Sequence, residues 1–207
     1  MNKAFFFVSS TVLFFLFTPL SNANPILSIS PDIQTVSTGA TVLFDVNISG
    51  LPTGIALGAF DLNINFDSTL LSFTNVAFGD PLLLGVDQLD PLNLGNSLPL
   101  ATSNSGLVNL IDFSLYDPAT LIAAQDSIFT LAVLSFTTLA SGTSPITLSI
   151  NSLSNANANN IQATTLSGSV TITTDLIPNT VPEPEAFLLL MISGMSFFLT
   201  LHRKHFI

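Results

Sequence analysis

Eleven aspartates and one tyrosine are the only ionisable side chains between Asn24 and Val181, a stretch with no Lys, Arg, His, Glu or Cys. The chemistry open to it is narrow. A Ser-His-Asp triad needs an imidazole base, and a zinc site needs imidazole or thiolate ligands. Two carboxylates could cleave a glycosidic bond, and the pairs to consider are Asp87 with Asp90, or Asp45 with Asp61. There is no Trp, however, and Tyr116 is the sole Tyr on which a sugar could stack. The stretch therefore reads as non-catalytic. Calcium is the more plausible ion, since Asp and Asn oxygens suit it. Its candidate ligands are Asp80, Asp87 and Asp90, with Asp112 and Asp117 following. EF-hand spacing is absent, and Asp80-Pro81, Asp90-Pro91 and Asp117-Pro118 are ordinary turn dipeptides. A last group, Asp61, Asn63 and Asn65, alternates with apolar residues and reads either as a recognition surface or as the wet face of a sheet.

The whole chain has 207 residues and a net charge of −10, and its only Lys and Arg are Lys3, Arg203 and Lys204. Nucleic acid is excluded as a partner of the middle region, because no cation is there to neutralise phosphates. Without Cys, stability has to come from burial and hydrogen bonds. Some 150 residues suffice for that, since a domain of about this size buries roughly 68–70% of its unfolded surface.

The elements that position these residues are strands. Val42, Phe44, Val46 and Ile48 alternate with Leu43, Asp45, Asn47 and Ser49, and Phe60, Leu62, Ile64 and Phe66 alternate with Asp61, Asn63, Asn65 and Asp67. Leu71 and Phe73 continue the pattern until the apolar phase moves to Val76 and Phe78, which predicts a bulge near Thr74-Asn75. Residues 79–106 hold Gly79, Pro81, Gly85, Pro91, Gly95 and Pro99 and read as a long loop packed by its own leucines. Strands resume over 107–116, with Ile111, Phe113 and Leu115 expected on one face, followed by a loop at Asp117-Pro118. Residues 129–137 are apolar in both phases and suit a strand buried on both sides. Ile146, Leu148 and Ile150 mark another strand, residues 151–160 a loop, and 167–174 the last strand. The eight Phe residues of this region all fall on strand patterns and are expected in the core. Many short strands with turn signals and almost no helix define an all-β domain, a single β-sandwich or jelly roll over 24–174.

The two ends differ from this domain. Residues 1–23 carry Lys3, an apolar run, Pro19 and the small-residue stretch Ser21-Asn22-Ala23, which is the pattern of a secretory signal peptide cut between Ala23 and Asn24. After a linker at 175–181 comes Val181-Pro182-Glu183-Pro184, then the uncharged apolar run 186–201, then Arg203 and Lys204. As a helix that run would rise about 24 Å, somewhat under the roughly 30 Å hydrocarbon core. The basic residues behind it resist translocation and form a cytoplasmic stop. Motif, apolar run and basic end together resemble the PEP-CTERM sorting signal, over 182–207. The resemblance implies handling by a secretion translocon and an exosortase-like membrane protease. It also implies transient membrane anchorage, then delivery to the cell surface or exopolysaccharide matrix.

A second resemblance covers roughly residues 26–174. Phe44-Asp45-Val46-Asn47-Ile48-Ser49-Gly50-Leu51, Gly58-Ala59-Phe60-Asp61-Leu62-Asn63-Ile64-Asn65-Phe66-Asp67 and Phe129-Thr130-Leu131-Ala132-Val133-Leu134-Ser135-Phe136 occur in an order similar to that of cohesin-type domains. Those domains are relatives of carbohydrate-binding modules and have about nine strands. The resemblance implies a dockerin-like partner bound through a polar outer sheet face, where Asp61, Asn63 and Asn65 would lie. Two functions are expected: a structural or adhesive matrix protein, or a module that binds a dockerin-like protein or a glycan.

Overall fold

The computed structural model describes residues 24–81 and 87–174. The expected signal peptide up to Ala23, the sorting motif Val181–Pro184, the apolar run 186–201 and the basic Arg203 and Lys204 lie outside these residues. Among the described residues the elements run β1 (Ile26–Ser30), β2 (Ile33–Ser37), β3 (Thr41–Ser49), β4 (Leu57–Asn65), β5 (Leu71–Phe78), β6 (Leu100–Asn104), β7 (Leu107–Phe113), α1 (Pro118–Ala124), β8 (Ile128–Thr138), β9 (Gly142–Asn155), β10 (Thr164–Leu166) and β11 (Gly168–Thr173). They form two sheets, one ordered β10-β1-β3-β8-β5 and the other β2-β11-β9-β4-β7-β6.

Each sheet turns one apolar face inward. Phe44, Val46 and Ile48 of β3 meet Phe60, Leu62 and Ile64 of β4, with Leu134 and Phe136 from β8 and Ile146 and Leu148 from β9. Phe136 is the hub, with ring centroids 5.0 Å from Phe66, 5.7 Å from Phe73 and 6.2 Å from Phe44, all edge-to-face, the arrangement that ring quadrupoles favour. The first and last strands close both sheets. β1 runs parallel to β10, and β2 runs parallel to β11. Both strand pairs therefore change sheets side by side, and Gly168 sits at that crossing. A Cβ there would meet Asp32 O at 3.0 Å and Ile29 Cγ2 at 2.9 Å, so the close approach requires glycine.

The sandwich is as expected, with eleven strands where about nine were anticipated. The 79–106 loop contains a strand, β6, whose polar sequence Leu-Ala-Thr-Ser-Asn hides it from a hydrophobic pattern. β9 continues to Asn155, so half of the expected 151–160 loop is strand, held by pairing with β4 rather than by its own composition. The Asp117-Pro118 loop opens a helix: Asp117 accepts from the amides of Ala119 and Thr120 as N-cap, and Pro118 starts the first turn.

The packing expectations hold in part. The bulge does fall between Phe73 and Asn75. β8, however, is not buried on both sides. The register slips between Val46 and Asn47 opposite Leu131, so Phe129 and Leu131 face inward before the slip, and Ala132, Leu134 and Phe136 after it. In β7 Ile111, Phe113 and Leu115 do share a face, but it is the outer one, since the inward residues are Val108, Leu110 and Asp112. Phe113 is thus exposed, unlike the other seven Phe residues of the domain.

α1 leads to a side chain that completes a strand. The Gln125 amide accepts from Leu57 N–H and donates to Leu57 O at 3.1 Å and Gln88 O at 2.9 Å. Leu57 is fully buried, so no water stands ready to replace these bonds. Gln125→Ala is expected to cost about 2 kcal/mol in urea unfolding; a loss below about 0.5 kcal/mol would show that this clamp is dispensable.

Candidate functional site

β4 lies inside its sheet, between β9 and β7. With Phe60, Leu62 and Ile64 committed to the core, strand alternation puts Asp61, Asn63 and Asn65 on the outer face. The register sets Asn63 opposite Asn109 of β7 and Ser149 of β9. Four side chains then form a network. Asp61 Oδ1 accepts from Asn109 Nδ2 at 2.6 Å and Asn151 Nδ2 at 2.9 Å. Asn109 Nδ2 also donates to Asn63 Oδ1 at 3.0 Å, and Asn63 Nδ2 donates to Asn151 Oδ1 at 3.0 Å. Asn65 stands exposed at the end of β4, outside this network. Among the described residues Asp61 Oδ2 receives no hydrogen bond, so the network presents a carboxylate oxygen outward on a fixed frame.

An apolar strip adjoins it. Leu100 of β6 pairs with Ile111 of β7, beside Asp61. Leu98, Leu100, Phe113 and Leu115 are all exposed, and Leu98 N–H donates to Phe113 O at 3.0 Å. Polar network and apolar strip form one continuous outer surface across β9, β4, β7 and β6.

The other aspartates have structural tasks. Asp45 and Asp61 lie on different sheets, both facing outward, and cannot act on one bond. The Asp45 carboxyl is pushed up by partial burial and then by Asp80. Asp90 accepts from Leu94 N–H at 3.0 Å, Gly95 N–H at 2.7 Å and Tyr116 O–H at 2.9 Å. Burial opposes these donors, but together they hold its pKa below the ordinary value. The same bond ties Tyr116 down, and burial raises its pKa. Tyr116 is therefore a brace for the loop rather than a free platform for a sugar. Asp87 accepts from Leu89 N–H at 2.9 Å and Ser97 Oγ at 2.8 Å. Asp117 caps α1, with its pKa lowered by Thr120. Among the described residues no three carboxylate or imidazole side chains converge in a group that could hold a metal ion.

The residue whose burial sequence reasoning did not foresee is Asp112. It points inward from β7, is fully buried, and neither carboxyl oxygen has a hydrogen-bond partner. Burial, then the Asp87 carboxylate, pushes its pKa up to about 8. The backbone amides of Phe113 and Leu98 oppose this, but Leu98 N–H is already committed to Phe113 O. Asn109 and Asn151 were also missed. The sequence offers no signal for them, since each phase of β7 carries a polar residue, Asn109 in one and Asp112 in the other.

This sandwich, with its mixed polar and apolar outer face, is that of a binding module. The chain belongs to the cohesin domain family, whose model matches residues 28–172. That family consists of non-catalytic binding modules. Solved structures agree. A non-cellulosomal cohesin from the archaeon Archaeoglobus fulgidus is 14% identical, with 73% of this chain and 93% of that one covered and a TM-score of 0.55. A cohesin from Clostridium acetobutylicum is 24% identical, with 73% and 92% covered and a TM-score of 0.54. A chain of a type I cohesin–dockerin complex from Clostridium thermocellum is 15% identical, with 73% and 100% covered and a TM-score of 0.57. No curated protein matches the chain in sequence. Among the described residues no helix is long and apolar enough to cross a membrane.

Proposed function

We propose that residues 24–174 form an exported cohesin that binds a dockerin-like protein through the outer face of β9, β4, β7 and β6. The observation that carries this reading is the Asp61–Asn63–Asn109–Asn151 network beside the exposed Leu98, Leu100 and Phe113. Its polar groups are already oriented by one another, so less ordering is left for binding. The apolar strip supplies area to desolvate. The described domain carries carboxylates and no Lys or Arg, so a basic partner surface is complementary and association slows as salt rises. Similar cohesins have been solved in complex with dockerins, which supports the same class of partner here. A glycan is the less favoured ligand, because Tyr116 is tied to Asp90 and there is no Trp.

The test is calorimetric titration of the purified chain with dockerin modules encoded in the same genome. Saturable one-to-one binding is expected. Asp61→Ala should weaken it roughly 10- to 100-fold while changing stability by about 0.5 kcal/mol or less. Absence of saturable binding across those modules would leave a purely structural or adhesive role.

Export and sorting form the second part of the reading. Val181-Pro182-Glu183-Pro184, the apolar run and Arg203-Lys204 support recognition by an exosortase-like protease and delivery to the cell surface or matrix. Intact mass of the protein from cells and culture matrix is expected to show a species starting at Asn24 and ending between Val181 and Glu185. Replacing Pro182, Glu183 and Pro184 with Ala should abolish that processing. A wild-type species still ending at Ile207 would contradict sorting and leave a membrane-tethered protein.

A further inference from the structure

The two oxygens of Asp112 are the only buried side-chain polar atoms found without a partner among the described residues. Such a group is costly in the interior unless something neutralises it. No Lys, Arg or His exists between Asn24 and Val181 to do so, which leaves a proton or a bound cation. The charged group that acts on it is a second carboxylate, Asp87, which itself is anchored by Leu89 N–H and Ser97 Oγ. Other carboxylates nearby are satisfied: Asp90 is saturated by two amides and a phenol. The orphaned Asp112 and the anchored Asp87 therefore sit where a turn-rich segment, residues 87–99, meets the end of β7.

We propose that Asp87 and Asp112 are the carboxylate ligands of a divalent cation site with calcium's preference for oxygen. Two carboxylates balance the charge of one such ion, and Asp112 offers both oxygens. The remaining positions fall to main-chain carbonyls and water, which calcium accepts readily because its coordination is flexible. Bound there, the ion ties the 87–99 segment to β7 and so to the edge of the outer face that carries Leu98, Leu100 and Phe113. The site does not depend on the identity of the domain's partner.

The test is calcium chloride alone, titrated into the chelator-treated full chain. One calcium per chain is expected, with the thermal midpoint raised by roughly 5 °C or more at about 100 times Kd. Asp112→Asn keeps the shape of the side chain but not its charge, and should lose both the binding and the thermal shift. Should that variant fail to fold, Asp87→Asn serves in its place. Asp117→Asn, at an exposed helix cap, should bind calcium as the wild type does. No stoichiometric binding to the wild type would overturn the proposal. So would binding that survives Asp112→Asn and Asp87→Asn, since that would be diffuse association with an acidic surface.

Discussion

In the presence of a chelator, the stability of this domain is expected to fall as pH rises from 5 to 8, and Asp112→Asn is expected to flatten that slope. The unfolded carboxyl ionises near 3.8, whereas the buried one does so at about 8. Between these values the folded protein holds a proton that the unfolded chain has released. Stability therefore drops with pH, by at most about 1.4 kcal/mol per unit for one proton. The contribution is fully present below pH 3.8 and has been lost above pH 8. Asp45, raised by burial and by Asp80, adds to the early part of the fall. Asp67, Asp90 and Asp117 have lowered pKa values. Their stabilisation is present above 3.8 and disappears as pH falls through their folded values, so they act only on the acid side. The sum is a stability maximum at mildly acidic pH. The asparagine variant, which never ionises, should be more stable than the wild type at pH 8. Urea unfolding at pH 5 and pH 8 measures both. A flat wild-type profile, or equal slopes in the two proteins, would show that the Asp112 carboxyl has found solvent.

The second large effect is expected at Phe136. Its ring is fully buried and meets Phe44, Phe66 and Phe73 edge-to-face. It also lies on β8, between β3 and β5 in the five-stranded sheet. Phe136→Ala removes a large side chain from a site whose neighbours are held by two sheets and cannot collapse inward. A loss of about 3–5 kcal/mol is expected, a large part of the roughly 5–15 kcal/mol typical of a domain. Phe113→Ala, on the exposed face, should cost about 0.5 kcal/mol or less. Urea midpoints of the two variants decide the point. A loss below about 1 kcal/mol at Phe136 would place the centre of the core elsewhere.

These contrasts show what the sequence could convey. β4 was readable because apolar and polar residues alternate strictly from Phe60 to Asn65, and β3 because Phe44, Val46 and Ile48 do the same. The bulge at Thr74 was readable because the apolar phase visibly moves. β6 and the far half of β9 were not, since their residues are polar and their strand state comes from pairing with β7 and β4. In β7 the shared face of Ile111, Phe113 and Leu115 was readable, but not that it points outward, because both of its phases carry apolar residues. Only the neighbouring strands decide which phase faces inward, and they choose the one containing Asp112. The candidate site was half legible for the same reason. Asp61 and Asn63 belong to a clear pattern, whereas Asn109 and Asn151 reach them across sequence gaps of 48 and 90 residues through strand register.

The most direct test of the account is hydrogen–deuterium exchange of the chain with and without a dockerin module from the same genome. Protection is expected in β4, β7 and β6 and in the Asn151 region of β9, with the β10-β1-β3-β8-β5 sheet unchanged. Protection confined to that five-stranded sheet, or no change at saturating dockerin, would contradict a partner-binding face built on Asp61.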